Sequence, residues 1–184
     1  MEYSHCLAYD FEVDGLCYNI ISDDEVEITY IGSNKTYSGN LTIPETVKYR
    51  DVIYKVTTIG ERAFDGSSLL KGPLVIPNSV TTIKELAFSG CSGFTSLEIS
   101  NSVISIGRAA FYGCSGLSGL LKIPNSVTTI YDQTFRRCSG LTSLDLPSSL
   151  TTIDFMAFDE CSGFTGSLII PNSVTSIKDE AFSG

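Results

Sequence analysis

The sequence predicts a solenoid: a right-handed parallel stack, rich in β-strand with short helical or 3-10 turns, and a small β-hairpin cap at its amino-terminal end. Two observations predict this fold. Residues 59–184 consist of repeats whose length alternates between 23 and 24 residues. Within each repeat, apolar residues alternate as they do along a strand with one buried face.

Phenylalanine sets the register of the repeat. The series is Phe64, Phe88, Phe111, Phe135, Phe158 and Phe182, so the numbering advances by 24, 23, 24, 23 and 24. An isoleucine five positions upstream keeps the same step, and in four repeats a cysteine follows three positions downstream. The longer repeats carry their extra residue next to Gly72, Gly119 or Gly166, so the unit can also be counted as a pair of repeats.

Each repeat predicts one strand and one return. Leu97-Glu98-Ile99 alternates inward, outward, inward, and a proline such as Pro77 ends the ladder because it lacks an N–H. The spacing of the next apolar residues fits a short extended segment that leads into one helical or 3-10 turn. A Ser-Gly pair then returns the chain, with the glycine expected to supply φ freedom. One repeat cannot enclose its own apolar side chains, so the repeats must stack.

Residues 9–58 lack the repeat and predict a β cap that merges into a first partial repeat at Leu41-Thr42-Ile43-Pro44. Asp14-Gly15 lies between two alternating runs, which is a strong hairpin signal. An insertion over 48–56 is rich in Tyr and Val and predicts another hairpin. A stack of strands leaves an open edge, and we expect residues 9–58 to cover it.

The repeat resembles the BspA-like class of bacterial leucine-rich repeats. The shared pattern is Leu-x-x-Leu-x-Ile-Pro-x-x-Val-x-x-Ile-x-x-x-Ala-Phe-x-x-Cys, and it covers about residues 41–184. One repeat carries it as Leu141, Leu144, Leu146, Pro147, Leu150, Ile153, Ala157, Phe158 and Cys161. The resemblance implies a leucine-rich-repeat solenoid on an exported or surface-attached bacterial protein, often one engaged in adhesion.

Composition argues against several classes of function. The 184 residues carry a net charge of -9, of which residues 1–58 hold -6, and the widest basic cluster is Arg136-Arg137, so nucleic acid is not an expected partner. The single histidine, His5, excludes a three-histidine zinc site. No apolar run approaches the roughly 18 residues that span a bilayer.

The remaining chemistry-bearing residues favour structural roles. Four of the six cysteines recur at the repeat period, without a C-x-x-C, so we expect buried thiols there rather than a metal site. Cys6 and Cys17 could pair in an oxidising compartment. The acidic run at 23–27 is either a weak cation site or a solvated turn, and its spacing does not match an EF-hand. The sequence therefore predicts no catalytic residue, no cofactor and no metal site.

The two termini carry separate expectations. Residues 1–8 are a frayed terminus or the remnant of a secretion signal, since Cys6-Leu7-Ala8 has the small residues that signal peptidases require. The alternative is a disordered start of a cytosolic protein. At the other end the register makes cysteine the expected residue after Gly184, so we expect the natural protein to continue.

The outward strand positions are the candidate partner-binding face, because solenoids bind along such extended surfaces. They are Val75, Glu98, Lys122, Asp145 and Ile169. The alternating charges among them are also what cross-strand pairing alone would give.

The function expected is that of a non-catalytic, extracytoplasmic, adhesin-like module. It would bind a host extracellular protein or a neighbouring surface protein. A spacer or stalk within a larger surface protein is the alternative, and a recognition module fused to an enzyme is a more distant one.

Overall fold

The computed structural model describes residues 9–32 and 36–184, and within them all regular elements are β-strands. The predictions for residues 1–8, including a link between Cys6 and Cys17, lie outside the described residues. The strands are β1 (Phe11–Val13), β2 (Leu16–Ile20), β3 (Glu25–Thr29), β4 (Ser38–Asn40), β5 (Thr46–Tyr49), β6 (Val52–Ile59), β7 (Leu69–Ile76), β8 (Thr82–Ile83), β9 (Phe94–Ile99), β10 (Ser105–Ile106), β11 (Gly119–Lys122), β12 (Thr129–Ile130), β13 (Leu141–Asp145), β14 (Thr152–Ile153) and β15 (Ser176–Ile177).

Each repeat forms one rung of a parallel stack, which confirms the solenoid. The long strands pair in the order β4-β7-β9 and again as β11-β13. The short strands pair as β3-β6-β8-β10 and as β12-β14-β15. Equivalent isoleucines lie side by side, as in Ile59 beside Ile83 and Ile83 beside Ile106. The register predicted from the period is therefore the register of the ladders.

The extra residue of the longer repeats is a β-bulge. The ladder between β7 and β9 shifts register between Gly72 and Pro73, and the one between β11 and β13 shifts between Gly119 and Leu120. Both glycines have φ 80°, a left-handed conformation that residues with a Cβ rarely adopt. In these two longer repeats the extra residue is thus taken up by a bulge, whereas no strand forms around Gly166 in the third.

The return segment differs from the expected helical or 3-10 turn. Consecutive i to i+3 turns follow one another, with the N–H groups of Ala63, Asp65 and Ser67 donating to the carbonyls three residues before them. The alternate N–H groups of Arg62 and Phe64 point the other way and donate to carbonyls of the next rung at 3.0 and 2.8 Å. A 3-10 helix would keep these donors within the segment, whereas the turns use them to join rungs.

The Ser-Gly glycines have a different role from the one expected. Gly93, Gly116, Gly140 and Gly163 do not have positive φ, so φ freedom is not what they supply. A Cβ on Gly116 would lie 2.7 Å from the Phe94 carbonyl oxygen and closer still to that of Ser92. Glycine is required at this position because the backbone of the preceding rung passes against it.

The core is a set of columns that run along the stack. The rings of Phe64, Phe88, Phe111, Phe135, Phe158 and Phe182 stack with centroids 5.1 to 5.5 Å apart and planes within 8° of parallel. The first five are buried. Offset stacking at this spacing is a favourable arrangement for aromatic pairs. It recurs at every rung because the phenylalanine occupies the same position in each repeat.

The cap covers one ladder and leaves the other open. β3 extends the short-strand ladder in parallel, and β2 and β1 follow as an antiparallel hairpin. The insertion predicted to form a hairpin is β5-β6. The long-strand ladder ends at β4, which pairs only with β7 among the described residues. β4 pairs with β7 over 38–40, and residues 41–44, where the first partial repeat was predicted to begin, form no strand.

The last rung also departs from expectation. No strand forms around Ile169; the backbone bond to the neighbouring long strand is from Thr165 N–H to the Thr142 carbonyl. Ile177 is 50% exposed, whereas the equivalent isoleucines of earlier rungs are buried. Within the described chain this rung packs against a neighbour on one side, and its apolar face is open on the other.

Candidate functional site

The candidate face consists of the five outward positions predicted from the sequence. Val75, Glu98, Lys122 and Asp145 lie on β7, β9, β11 and β13 and are exposed. Val75 is the ladder partner of Glu98, and Lys122 is the partner of Asp145. Ile169 is 79% exposed but lies outside any strand. The structure thus brings four of the five onto one row of strands.

This row is divided between β9 and β11. In the described chain the two strands share no ladder, although the Ser118 N–H and hydroxyl both donate to the Thr95 carbonyl at 3.1 and 2.9 Å. The ion pairs of the described residues join other charges, so Glu98, Lys122 and Asp145 do not pair with one another. Ion pairing between neighbouring strands therefore does not explain why these three positions carry charged residues.

A groove of about 400 Å³ lies beside Val75, where the chain after β4 leaves β7. Its apolar walls include Leu41, Ile43, Pro73 and Pro77. No sequence pattern selects this set of residues, because the groove depends on where β4 ends.

A second feature, which the sequence interpretation missed, is a row of ion pairs along the turns. Arg108 Nε and Nη1 lie 2.7 and 3.1 Å from carboxylate oxygens of Asp132 and Glu85, on the rungs to either side. Lys84 Nζ lies 2.6 Å from a Glu27 oxygen of the cap. Opposite charges separated by one repeat period were the signal that could have revealed this row.

The Arg136-Arg137 pair belongs to this row and is not an open basic patch. Arg136 Nε lies 2.8 Å from the buried Asp159 carboxylate, and Arg137 Nε and Nη2 donate to Glu160 at 3.0 Å. Arg137 Nη1 also donates to the Tyr112 hydroxyl at 2.8 Å. The bonds from Arg137 hold the pKa of the Glu160 carboxyl below its ordinary value.

Arg137 and Glu160 have a left-handed backbone. Their φ angles are 63° and 57°, in the left-handed region, and in the other rungs the same position is Gly66, Gly90, Gly113 or Gly184. A left-handed conformation is unfavourable for a residue with a Cβ. Every rung also carries another non-glycine residue with positive φ, at the position of Arg62, Leu86 and Met156, so a left-handed residue with a Cβ is a regular feature of this fold.

The repeat cysteines are hydrogen-bonded core residues. The thiols of Cys91, Cys114, Cys138 and Cys161 donate to phenylalanine carbonyls of the preceding rung at 3.0 to 3.2 Å. Burial raises the pKa of Cys91 and of Cys161 to about 12. A thiol in this state is neither a nucleophile nor a ready metal ligand.

Of the acidic run, Asp23 and Asp24 lie in an exposed turn, in which the Ser22 hydroxyl donates to Asp24 at 3.1 Å, whereas Glu25 and Glu27 belong to β3. Among the residues that the structure describes, no three His, Cys, Asp or Glu side chains converge as metal ligands would. Residues 9–32 and 36–184 also contain no helix long and apolar enough to cross a lipid bilayer.

Comparison with solved structures finds the same fold in bacterial leucine-rich repeat proteins. A protein from Bacteroides ovatus is 30% identical with a TM-score of 0.69; the match covers 95% of this chain and 51% of that one. A leucine-rich cell surface protein from Faecalibacterium prausnitzii is 28% identical with a TM-score of 0.65, over 94% and 51% of the two chains. The chain thus spans about half the length of these two.

A further similarity concerns the fold alone. The pneumococcal vaccine antigen PcpA is 17% identical with a TM-score of 0.62, over 91% of this chain and 45% of that one. No curated protein matches the chain. The family model that matches describes a BspA-type leucine-rich repeat region, in six copies over residues 57–184. The chain belongs to the family of BspA-type leucine-rich repeat proteins.

Proposed function

We propose that the chain is a non-catalytic, extracytoplasmic, adhesin-like module that binds a protein through the candidate face. The observation that carries this proposal is the state of Glu98, Lys122 and Asp145: each is exposed, each lies on a different rung, and none belongs to an ion pair of the described residues. Charged side chains presented in this way are available to a partner, and they favour selectivity and fast association.

The apolar end of the face supports the same proposal. Val75 is 48% exposed, and the adjoining groove is lined by prolines and aliphatic side chains. Protein interfaces combine an apolar centre with a polar rim. The groove at Val75 and the charged row beyond it provide both, so one partner surface could contact the two together.

The location and the partner are proposals as well. Similar structures include a protein described as a cell surface protein and another described as a vaccine antigen. These descriptions favour an extracellular or cell-surface location, with a host extracellular protein or a neighbouring surface protein as the partner. A spacer within a longer surface protein is the second candidate, because the chain spans about half the length of similar proteins.

The test is partner capture with two matched triple variants. One replaces Glu98, Lys122 and Asp145 with alanine; the control replaces Lys178, Asp179 and Glu180, which are also exposed and change the net charge equally. We expect the first variant to lose at least tenfold in affinity for a captured surface protein, about 1.4 kcal/mol or more, and the control to bind normally. Equal binding by both would contradict the proposed face and favour the spacer.

A further inference from the structure

The candidate face carries two parallel rows of outward side chains. The first is the charged row, Glu98, Lys122 and Asp145, with Val75 at its end. Two positions earlier on the same four strands lies a second row, which is also exposed and which we call the neutral row: Pro73, Ser96, Leu120 and Ser143. Because alternate residues of a strand face the same side, the two rows run side by side, about 6.7 Å apart.

The width of the two rows selects the kind of partner element that covers them. An α-helix with its side chains is about 10 Å across, which is enough to contact both rows at once. A single extended strand occupies about 4.8 Å and covers only one row. Leu120 on the neutral row is 56% exposed, so an element that covers both rows also removes apolar surface from water.

The step from rung to rung also fits a helix. Along the four rungs that carry the rows, the rings of the phenylalanine column follow one another at 5.3, 5.3 and 5.5 Å, and this step continues where β9 and β11 share no ladder. One helical turn rises about 5.4 Å, whereas two residues of a strand rise about 6.7 Å. Even at the spacing of about 4.8 Å between paired strands, a helix stays within about 2 Å of the charges over three steps, and a strand overshoots by about 6 Å.

The signs along the charged row define the side chains that such a helix must carry. Glu98, Lys122 and Asp145 alternate between negative, positive and negative, and none belongs to an ion pair of the described residues. A complementary helix has an apolar residue over Val75 and then a basic, an acidic and a basic residue on its next three turns. A uniformly basic or uniformly acidic helix would place like charges together, which disfavours it.

We propose that the partner protein docks an amphipathic α-helix along the stack. Its stripe of one apolar and three alternating charged residues lies on Val75 and the charged row, and its neighbouring apolar side chains lie on the neutral row. This inference rests on the protein-binding function proposed above, and it names the part of the partner that the face recognises.

The probes are two stapled 18-residue helices, titrated into the full chain and followed by NMR. Each carries leucine, lysine, glutamate and lysine at positions i, i+4, i+7 and i+11, with leucines on the neighbouring stripe. The two differ in the order of these four residues, because a helix can run in either direction along the stack. We expect one of them to bind and to shift the resonances of both rows. A helix with opposite signs, and an extended peptide with the same four residues at every second position, should each bind roughly tenfold more weakly, as for the loss of three exposed ion pairs.

Charge reversal in the protein separates recognition from folding. Glu98→Lys, Lys122→Glu and Asp145→Lys together should reverse the preference, so that the helix with opposite signs binds roughly tenfold more tightly than the original helix. The matched control reverses three other exposed charges with the same change in net charge, and it should keep the original preference. Its substitutions are Lys178→Glu, Asp179→Lys and Glu180→Lys.

The remaining outcomes test the placement of the helix. Leu120→Ala should weaken the original helix about threefold, and an unchanged affinity would contradict contact with the neutral row. Absence of binding by both helices, tighter binding by the extended peptide, equal binding of either sign pattern, or shifts confined to the turns would each overturn the helix. If the alanine variant of the charged row still lost a captured surface protein, the protein-binding face would stand without the helix; if it did not, both proposals would fail.

Discussion

Replacing Gly116 with alanine should destabilise the stack more than replacing a glycine whose only constraint is a left-handed φ. The new Cβ would lie 2.7 Å from the Phe94 carbonyl oxygen and closer still to that of Ser92, whereas Cβ atoms in proteins essentially never approach another atom within 3.0 Å. Both obstacles are backbone atoms of the preceding rung, which cannot rotate away. Because a whole rung must move, we expect the free energy of unfolding to fall by about 3 kcal/mol, at the upper end of the range for overpacking.

Gly113→Ala is the matched control, three residues away. Gly113 has φ 69°, and the nearest atom to an added Cβ is 3.9 Å away, so this variant reports only the left-handed backbone. Its expected loss is about 1 kcal/mol. Urea unfolding followed by circular dichroism measures both free energies. If Gly113→Ala proved as destabilising as Gly116→Ala, the close approach of the rungs would be refuted as the reason for this glycine.

Three further predictions concern the columns and the turns. Phe111→Ala should lower the free energy of unfolding by about 4 kcal/mol, because its ring is buried between two others. Phe182→Ala should lower it clearly less, since the described chain stacks this ring on Phe158 alone. Comparable losses in the two variants would contradict the stacked column. The raised pKa of Cys91 and Cys161 favours the protonated folded state, so thermal stability should be intact below about pH 9, the ordinary thiol value, and fall as the pH rises towards about 12. Replacing Cys91 and Cys161 with alanine should reduce this loss of thermal stability at high pH. An unchanged dependence of thermal stability on pH would contradict the role given to the two thiols. Met156→Gly should leave the free energy of unfolding unchanged or raise it by up to about 1 kcal/mol, because φ is 53° at this residue. The control, Asn125→Gly, relieves no positive φ and should lower the free energy of unfolding. A destabilised Met156→Gly beside an unchanged Asn125→Gly would argue against strain at Met156.

The stack was predictable because its energetics are repetitive. Phenylalanine and isoleucine can form continuous buried columns only if they recur at a constant step, so the step in the sequence is the step of the rungs. The extra residue beside Gly72 and Gly119 could likewise be located, although its nature as a bulge came from the ladders. Fold and register therefore follow from side-chain burial alone.

Features that depend on backbone direction could not be predicted. The role of Gly116 rests on how close one rung passes to the next, which no residue type encodes. The groove at Val75 exists because β4 ends at Asn40 and the chain then leaves its neighbour. Arg137 was interpreted only as part of a basic pair, because its carboxylate partner, Glu160, lies on the next rung, a full repeat later in the sequence.

The central claim is that the strand face of the solenoid is its partner-binding surface. Lysine acylation read by mass spectrometry tests it directly, with Lys122 as the reporter and Lys178, exposed on the turn side, as the internal reference. With a bound surface protein, we expect acylation of Lys122 to slow several-fold while Lys178 reacts at its free rate. Protection of Lys178 with Lys122 unchanged would contradict the claim.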